Sequence, residues 1–180
     1  MRARIVGTGS FLPEYRMSNF ELSELVETSD EWITSRTGIK ERRIAKELTV
    51  SDMAANACIR ALENASVTPE QVDLIIVATS SPDYFFPNCA SIVQKKIGAC
   101  SAACFDLSAA CSGFIAALST AAAYAEAGIY SNILVVGSEK MSGMVDWKDR
   151  STCILFGDGA GACVVGRKDS EGGAEIISGD

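Results

Sequence analysis

The chain has 180 residues, of which 48% are hydrophobic, and it carries a formal net charge of −7. This length and composition can bury a single-domain core, and no uninterrupted apolar run approaches the roughly 18 residues that a membrane-spanning helix needs. The acidic balance disfavours general affinity for nucleic acid, although a local basic patch can still bind anionic small molecules. We therefore expect a soluble globular protein with no membrane segment and no nucleic-acid partner.

The cysteine content bears on compartment and on metal binding. The sequence has seven cysteines and no histidine, and its N-terminus lacks the basic and apolar regions of a secretory signal. An odd number of cysteines does not suit a disulfide framework, so we expect free thiols and a cytoplasmic location. Cys100 and Cys104 are spaced like a ligand pair, but no second pair or histidine completes a zinc tetrahedron. We expect no metal site.

Taken in chain order, six apolar runs without polar alternation predict β-strands. Runs that are apolar on both faces are typical of a sheet that is covered by helices on both sides. The predicted strands are Ala3–Val6, Leu74–Ala78, Cys104–Leu107, Ile133–Val136, Cys153–Phe156 and Cys163–Val165.

Helical patterns lie between these runs. A residue that caps a helix, followed three positions later by Glu or Gln, marks a helix start. From Asp52 to Ala65 small and apolar residues recur at i, i+1, i+4 and i+5, which predicts a helix with a flat face that lies close on a sheet. The predicted helix starts are Ser18 with Glu21, Thr49, and Thr68 with Gln71.

Cys111 is the candidate nucleophile of the chain. It directly precedes an alanine-rich helical pattern over 112–127, ended by Gly128, which has few charges and is predicted to be buried on nearly every side. The first turn of a helix offers unpaired N–H groups and a partial positive charge, which favour a thiolate and can stabilise a developing oxyanion. Small residues on both sides would let a substrate approach the backbone. For Cys58, Cys89, Cys153 and Cys163 we expect core packing.

Two glycine motifs invite a phosphate-binding interpretation and do not support it. The motif FGDGAGA over 156–162 is followed by an apolar run rather than by Lys-Ser/Thr and a helix, so we predict a tight turn between neighbouring strands. Gly7-Thr8-Gly9 lacks the third glycine and the helix start of a dinucleotide-binding fingerprint.

Five segments together resemble the 3-oxoacyl-(acyl carrier protein) synthase III family, in its order and at its spacing. They are GTGSFLP (7–13), TSDEWITSRTGI (28–39), VATSSPDYFFP (77–87), FDLSAACSGFIAAL (105–118) and FGDGAGA (156–162). The resemblance extends over essentially the whole chain, but members of that family have two similarly folded halves of thiolase type. It therefore implies that residues 1–180 are an N-terminal thiolase-like domain, and that the C-terminal half of the family is absent from this sequence.

The resemblance implies a layered α/β fold with a mixed, mostly parallel five-stranded sheet and a buried cysteine-bearing helix. It also implies an activity. Cys111 would take the acyl group of an acyl-CoA, with acetyl-CoA as the expected primer, and malonyl carrier protein would then condense with that thioester to start fatty-acid synthesis. The family draws a histidine and an asparagine for the second step from its C-terminal half, so this chain alone is expected to be inactive in condensation. No cofactor is implied beyond the acyl-CoA substrate.

The resemblance assigns binding roles to five further residues. Trp32 matches a residue that stacks on the CoA adenine, with Arg150 on the other face of that ring. Thr28 and Arg36 match contacts near the nucleotide. Phe86 matches a residue that crosses a homodimer interface to cap the acyl pocket of the partner subunit.

Other interpretations stay open at this point. The basic residues between 36 and 46 could bind CoA phosphates or an acidic carrier protein, but a solvated helix-loop face explains them equally well. The chain could be a dimerising or CoA-binding module without condensation chemistry. It could also prime polyketides or belong to another thiolase-type condensing enzyme.

Overall fold

Eight strands and six α-helices make up residues 3–166 and 174–176, which the computed structural model describes. The strands are β1 (Arg4–Phe11), β2 (Arg16–Ser18), β3 (Glu41–Arg43), β4 (Leu74–Ala78), β5 (Ala103–Leu107), β6 (Ile133–Lys140), β7 (Asp158–Gly166) and β8 (Ala174–Glu175). The helices are α1 (Asn19–Ser23), α2 (Asp30–Thr37), α3 (Val50–Ala65), α4 (Cys89–Ile97), α5 (Gly113–Glu126) and α6 (Arg150–Cys153). Three short 3-10 turns cover Pro69–Gln71, Ala110–Ser112 and Met141–Gly143.

The main sheet has six strands in the order β5-β4-β6-β7-β1-β8. Strand β4 pairs in parallel with β5 and β6, and the remaining pairs are antiparallel, so four of the six strands run in one direction. The mixed sheet is confirmed, with six strands instead of the expected five. The sixth is the two-residue strand β8, which pairs with the start of β1.

Helices cover the sheet on both faces, as the unalternating apolar runs predict. Ile75 and Val77 of β4 pack in the cluster formed with α3 and α4. Leu74 and Ile76 of the same strand pack on the opposite face, with α5. Because both sets of side chains are fully buried, the central strands carry no polar alternation.

Helix α3 lies directly on the backbone of β1. A Cβ atom on Gly9 would come within 2.3 Å of the Ala57 carbonyl oxygen, and one on Gly7 within 2.6 Å of the Ala61 carbonyl oxygen. The flat small-residue face predicted for this helix is confirmed, and so is its start at Thr49, whose hydroxyl accepts from the Asp52 N–H. The two glycines of the Gly-Thr-Gly segment therefore serve close helix–strand packing.

Helix α5 is buried along one face only, so the expectation that it is buried on nearly every side is wrong. Its buried residues recur every fourth position, at Gly113, Ala117, Ala121 and Ala125. On the opposite face the Ile115 side chain is 63% exposed. The alanine-rich composition made all faces look alike. Only this row of small residues is fully buried on the sheet, with Phe114 and Leu118 partly buried beside it, and no described element covers the opposite side.

Two local predictions between residues 153 and 162 are wrong. In the run predicted as a strand at Cys153–Phe156, Cys153 instead ends helix α6 and the next two residues follow it in a turn, because the Asp149 carboxylate accepts from the Ser151 N–H and starts a helical turn. The glycine-rich motif is not a turn, because from Asp158 onward it forms the first part of β7, with β6 on one side and β1 on the other. Neighbours on both sides supply a full hydrogen-bonding ladder, which outweighs the turn preference of glycine.

The other two predicted helix starts are confirmed, but one of them begins a 3-10 turn instead of an α-helix. Ser18 and Glu21 form a capping box at α1. Gln71 accepts from the Thr68 N–H, but the segment forms a single 3-10 turn. Among the helices of the described residues, none has both the length and the apolar character needed to cross a membrane.

The packing of α3 on β1 yields a stability prediction. Gly9→Ala should lower the free energy of unfolding by about 1–3 kcal/mol or more, because an added methyl group collides with helix backbone that cannot move aside. Urea denaturation measures the loss.

Gly161→Ala is the matched control, because it lies on the neighbouring strand and no described atom lies within 4 Å of its added Cβ. We expect it to change stability by less than about 1 kcal/mol. Equal losses in the two variants would contradict the close-packing explanation.

Candidate active site

Cys111 lies where the chain leaves β5 and enters α5. The residue sits in the 3-10 turn Ala110–Ser112, directly before the α-helix rather than in its first α-turn. Ala110 adopts a left-handed conformation with φ of 46°, which costs a residue with a Cβ roughly 1 kcal/mol. The Ser112 hydroxyl and N–H both donate to the Ala109 carbonyl oxygen, at 2.8 and 3.1 Å. This closed turn holds the exposed thiol at the helix end.

The Cys111 cleft, which the thiol lines, has a volume of about 330 Å³. Its walls are mostly residues with small or no side chains, from the ends of β4 and β6 and from the glycine-rich start of β7. The remaining lining is apolar except for Ser138 and one carboxylate. The lining residues are Leu12, Ala78, Ala110, Cys111, Phe114, Gly137, Ser138, Glu139, Gly159, Ala160 and Gly161.

Four other cysteines are core residues, as expected. Cys58, Cys89, Cys153 and Cys163 are buried, and burial raises the pKa of each thiol, to about 12 for Cys89 and about 11 for Cys163. These thiols are therefore poor sources of thiolate at neutral pH.

The remaining two cysteines lie between α4 and β5. Cys104 is partly buried against the Ser91 hydroxyl, 3.3 Å away. Cys100 is exposed, because it follows the turn at Gly98 that ends α4. Within residues 3–166 and 174–176, no three Cys, Asp or Glu side chains are grouped as metal ligands would be.

Trp32, Arg36 and Arg150 form one cluster. The Arg36 guanidinium lies 4.3 Å from the centre of the Trp32 ring system, and that of Arg150 lies 4.6 Å from it. Arg36 follows Trp32 by one turn of α2, whereas Arg150 reaches over from the start of α6 and donates to the Glu27 carbonyl oxygen at 3.1 Å. Both contacts have cation–π geometry.

Thr28 stands just before this cluster in the chain. Its hydroxyl oxygen is buried and has no hydrogen-bond partner among the described residues. A buried hydroxyl without a partner costs free energy, so a rearrangement that brought a polar atom to this oxygen would be stabilising.

Phe86 lies elsewhere, on the connection between β4 and α4. Its side chain is 91% exposed, next to Phe85, which is fully exposed, and Tyr84. Neither Phe86 nor any residue of the Trp32 cluster lines the Cys111 cleft of the same chain.

The basic run between residues 36 and 46 is not one solvated face. Arg42 is only 5% exposed and donates to the Asn19 amide oxygen at 2.6 Å and to the Met17 carbonyl oxygen at 3.2 Å. Burial lowers the pKa of its guanidinium from the ordinary value. Arg43 donates to the Pro13 carbonyl oxygen at 2.8 Å. Arg42 is therefore a structural residue that is not available to phosphates.

Sequence reasoning missed two carboxylates, Glu139, which lines the cleft, and Asp158, which precedes its lining residue Gly159. Glu139 accepts from the Ser80 N–H at 2.7 Å and from the hydroxyls of Thr79 and Ser81. Asp158 accepts from the Ala45 N–H at 2.7 Å and from the N–H and hydroxyl of Ser142. The signal for Glu139 was available, since it is the first charged residue after the apolar run that begins β6, at the edge where ligands of parallel sheets bind.

The chain is similar to known proteins over nearly its whole length. A family model described as 3-oxoacyl-[acyl-carrier-protein (ACP)] synthase III matches residues 105–179. A beta-ketoacyl-[acyl-carrier-protein] synthase III from Clostridium acetobutylicum is 56% identical over 168 residues, which cover 93% of this chain and 52% of that protein. The protein of the same name from Caldanaerobacter subterraneus is 57% identical, over 93% of this chain and 51% of that protein.

Solved structures agree with these matches. The 3-oxoacyl-[acyl-carrier-protein] synthase III of Aquifex aeolicus superimposes with a TM-score of 0.92 at 54% identity, over 94% of this chain and 55% of that chain. The priming beta-ketosynthase of the R1128 polyketide pathway superimposes with a TM-score of 0.91 at 44% identity, over 95% of this chain and 52% of that chain. The chain spans about half the length of the curated relatives it matches. Within that extent, it belongs to the 3-oxoacyl-(acyl carrier protein) synthase III family and has the family's thiolase-like α/β fold.

Proposed function

We propose that Cys111 accepts the acyl group of an acyl-CoA, acetyl-CoA in the first instance, and holds it as a thioester. In this proposal the chain is the acyl-accepting half of a condensing enzyme that starts fatty-acid synthesis. The observation that carries it is the exposed thiol of Cys111, which lines a cleft of about 330 Å³ in front of α5. The names of the relatives at 56–57% identity support the same reaction class.

The transfer is a thioester exchange. The Cys111 sulfur bonds to the carbonyl carbon of the acyl group, the carbon–sulfur bond to CoA breaks, and the proton of the Cys111 thiol ends on the sulfur of CoA. The tetrahedral intermediate carries an oxyanion, for which the N–H groups at the start of α5 are suited donors. The small residues around the thiol leave room for the two sulfur atoms and the acyl carbon to meet.

Trp32, Arg36, Arg150 and Thr28 are the proposed nucleotide site. An indole and guanidinium groups are good partners for a flat heteroaromatic ring, and the unpartnered Thr28 hydroxyl oxygen is a further polar contact. Since both guanidinium groups already lie over the Trp32 ring, an adenine that stacks there takes the place of one of them. The site is thus closed by its own side chains until the nucleotide enters.

The second step of the proposed reaction joins two carbon atoms. Malonyl carrier protein would lose carbon dioxide, its carbanion would attack the thioester carbonyl, and the Cys111 thiolate would leave. The sequence contains no histidine to assist the decarboxylation, and the relatives are about twice as long. We therefore propose that residues 1–180 act as an N-terminal domain together with a second half. No cofactor is part of the scheme.

A homodimer is the proposed assembly. Three exposed aromatic side chains on one connection, Tyr84, Phe85 and Phe86, support it, because contiguous exposed apolar groups commonly mark a protein interface. Phe86 would then cap the acyl pocket of the partner subunit. The seven free thiols suit the reducing cytoplasm.

A second candidate function is the priming of a polyketide. The fold similarity to the R1128 priming beta-ketosynthase supports it, at 44% identity. Fatty-acid initiation is favoured because the relatives of higher identity carry the acyl carrier protein synthase name. A dimerising or CoA-binding module without chemistry is the alternative of another class, and acylation of Cys111 separates it from both.

Cys111→Ser should abolish acyl transfer from acetyl-CoA, because an alcohol at this position is a far weaker nucleophile than a thiolate. Intact-mass and peptide mass spectrometry measure the acetyl adduct. The control is Cys100→Ser, which removes the other exposed cysteine outside the cleft and should leave acylation unchanged. An adduct that persists in Cys111→Ser would show that the nucleophile is misassigned.

Trp32→Ala should weaken CoA binding by about 1–3 kcal/mol, the range found for stacking of a base on an aromatic side chain. Titration calorimetry measures the affinity. Trp147→Ala is the control, because Trp147 packs in the same apolar cluster as Trp32 but has no proposed nucleotide contact. Equal weakening in both variants would point to lost packing instead of lost stacking.

Phe86→Ala should shift the preference between short and branched acyl-CoA by about tenfold, a scale typical of one or two methylenes in an apolar pocket. The shift should occur only in the dimer, since Phe86 does not line the cleft of its own chain. Competition assays on dimer and monomer fractions measure it, with Phe85→Ala as control. The same shift in the monomer would contradict the cross-subunit role.

A further inference from the structure

Glu139 lies where two parallel strands part. The pairing of β4 with β6 ends at Ala78 and Gly137, but β6 continues to Lys140 along β7. Beyond Ala78 no ladder hydrogen bond of β6 holds the chain of β4 in place. The Glu139 side chain spans this gap, because its carboxylate accepts the Ser80 N–H at 2.7 Å.

The same carboxylate closes the turn over residues 79–81. Its second oxygen accepts from the Ser81 hydroxyl and from the Thr79 hydroxyl, the latter at 3.3 Å. The Ser81 oxygen in turn accepts from the Lys140 N–H at 2.9 Å. Hydrogen bonds to a charged acceptor are stronger than neutral ones, so this bridge between β6 and the turn is firm.

Two hollows meet at this bridge. Glu139 lines the Cys111 cleft on one side. On the other side Ser80, Ser81 and Lys140 line a hollow of about 480 Å³ that also includes Tyr84, Phe85 and Met144. The bridge is therefore the partition between the cleft of the nucleophile and a larger, aromatic-lined space.

Among the described residues that line the Cys111 cleft, Glu139 is the one carboxylate. Such a group invites assignment as a general base. Its two oxygens, however, already accept hydrogen bonds from Ser80, Ser81 and Thr79. We therefore assign the side chain a structural role in lining the cleft and not the role of a proton acceptor.

We propose that Glu139 is a positioning residue that limits the size of the acyl group on Cys111, by holding the partition between the cleft and the larger hollow. The reference to acyl groups rests on the proposed function, whereas the partition itself does not. With the bridge removed, the two spaces join and a longer group on Cys111 can extend toward Tyr84 and Phe85.

The test uses the full 180-residue chain and two pairs of reagents. Peptide mass spectrometry follows modification of Cys111 by iodoacetamide and by the bulkier N-cyclohexylmaleimide, and acylation by acetyl-CoA and by octanoyl-CoA. For Glu139→Ala the bulky-to-small rate ratio should rise about tenfold in both pairs, as expected when a wall held by charged hydrogen bonds is lost.

Two further variants separate the effect of the Glu139 side-chain size from that of its charge. They also keep the proposal testable if Glu139→Ala fails to fold. Glu139→Gln keeps an oxygen that can accept the Ser80 N–H, so its ratios should stay within about twofold of the native chain. Ser81→Ala removes one donor of the bridge and should raise the ratios to a smaller extent. Circular dichroism checks the fold of every variant.

Asp73→Ala is the matched control. The Asp73 carboxylate also joins the β4 side of the sheet to the β6 side, because it accepts the N–H groups of Ser131 and Asn132 at 2.8 and 3.0 Å. It does so at the opposite end of the strands, away from Cys111. Its ratios should match those of the native chain.

The outcomes are distinct. Unchanged ratios in Glu139→Ala overturn the proposal, as does an equal rise in Asp73→Ala, which would indicate general loosening. A rise in Glu139→Gln as large as that in Glu139→Ala also overturns it, because the amide keeps the size of the side chain and an acceptor for the Ser80 N–H. If the maleimide ratio rises while no acyl-CoA modifies Cys111 in any variant, the partition is supported and the proposed function fails.

Discussion

The contact of α3 with β1, backbone against backbone, sets the position of the other parts of the site. Because Gly7 and Gly9 carry no side chain, the helix lies directly on the strand. Its N-terminus is then held by two groups from different parts of the chain. The Asp83 carboxylate accepts the Val50 N–H at 2.7 Å, and the buried Ser138 hydroxyl donates to the Val50 carbonyl oxygen at 2.8 Å. A single close approach thus fixes both the β4–α4 connection and the end of β6, which lines the Cys111 cleft.

The cleft exists because three parallel strands end at one edge of the sheet. Strands β4, β5 and β6 run side by side. The segments after β4 and β5 supply the turn over 79–81 and Cys111, and the end of β6 itself supplies Glu139. The antiparallel strand β7 completes the wall with glycines, which take no space from the cleft. The site is therefore a product of topology, with chemistry added at strand ends. The nucleotide cluster around Trp32 is built separately, from α2 and α6.

The bounds of strand β4 could be predicted from the sequence, because a strand that is buried on both faces is an uninterrupted apolar run, here Leu74–Ala78. Helix α3 and the position of Cys111 before α5 were also predictable, from small-residue spacing and capping. The errors have one origin. A local sequence pattern does not show which other segment of the chain an element will pair or pack with. Gly159 and Gly161 are suited to a turn until β1 and β6 pair with them, and apolar Cys153 can end a helix as well as form a strand. Glu139 was missed because its donors are about 60 residues away in sequence.

The one-sided burial of α5 has an electrostatic consequence. A helix terminus in contact with water has its field screened, because the effective dielectric constant there is several times that of a protein interior. The exposed stripe that includes Ile115 keeps this helix in that screened state. A surface that comes to rest on the stripe would exclude water along the helix and strengthen its field at the sulfur of Cys111, without touching the residue itself. The reactivity of the Cys111 thiol therefore depends on whether the exposed stripe of α5 is covered, although Cys111 is not part of that stripe.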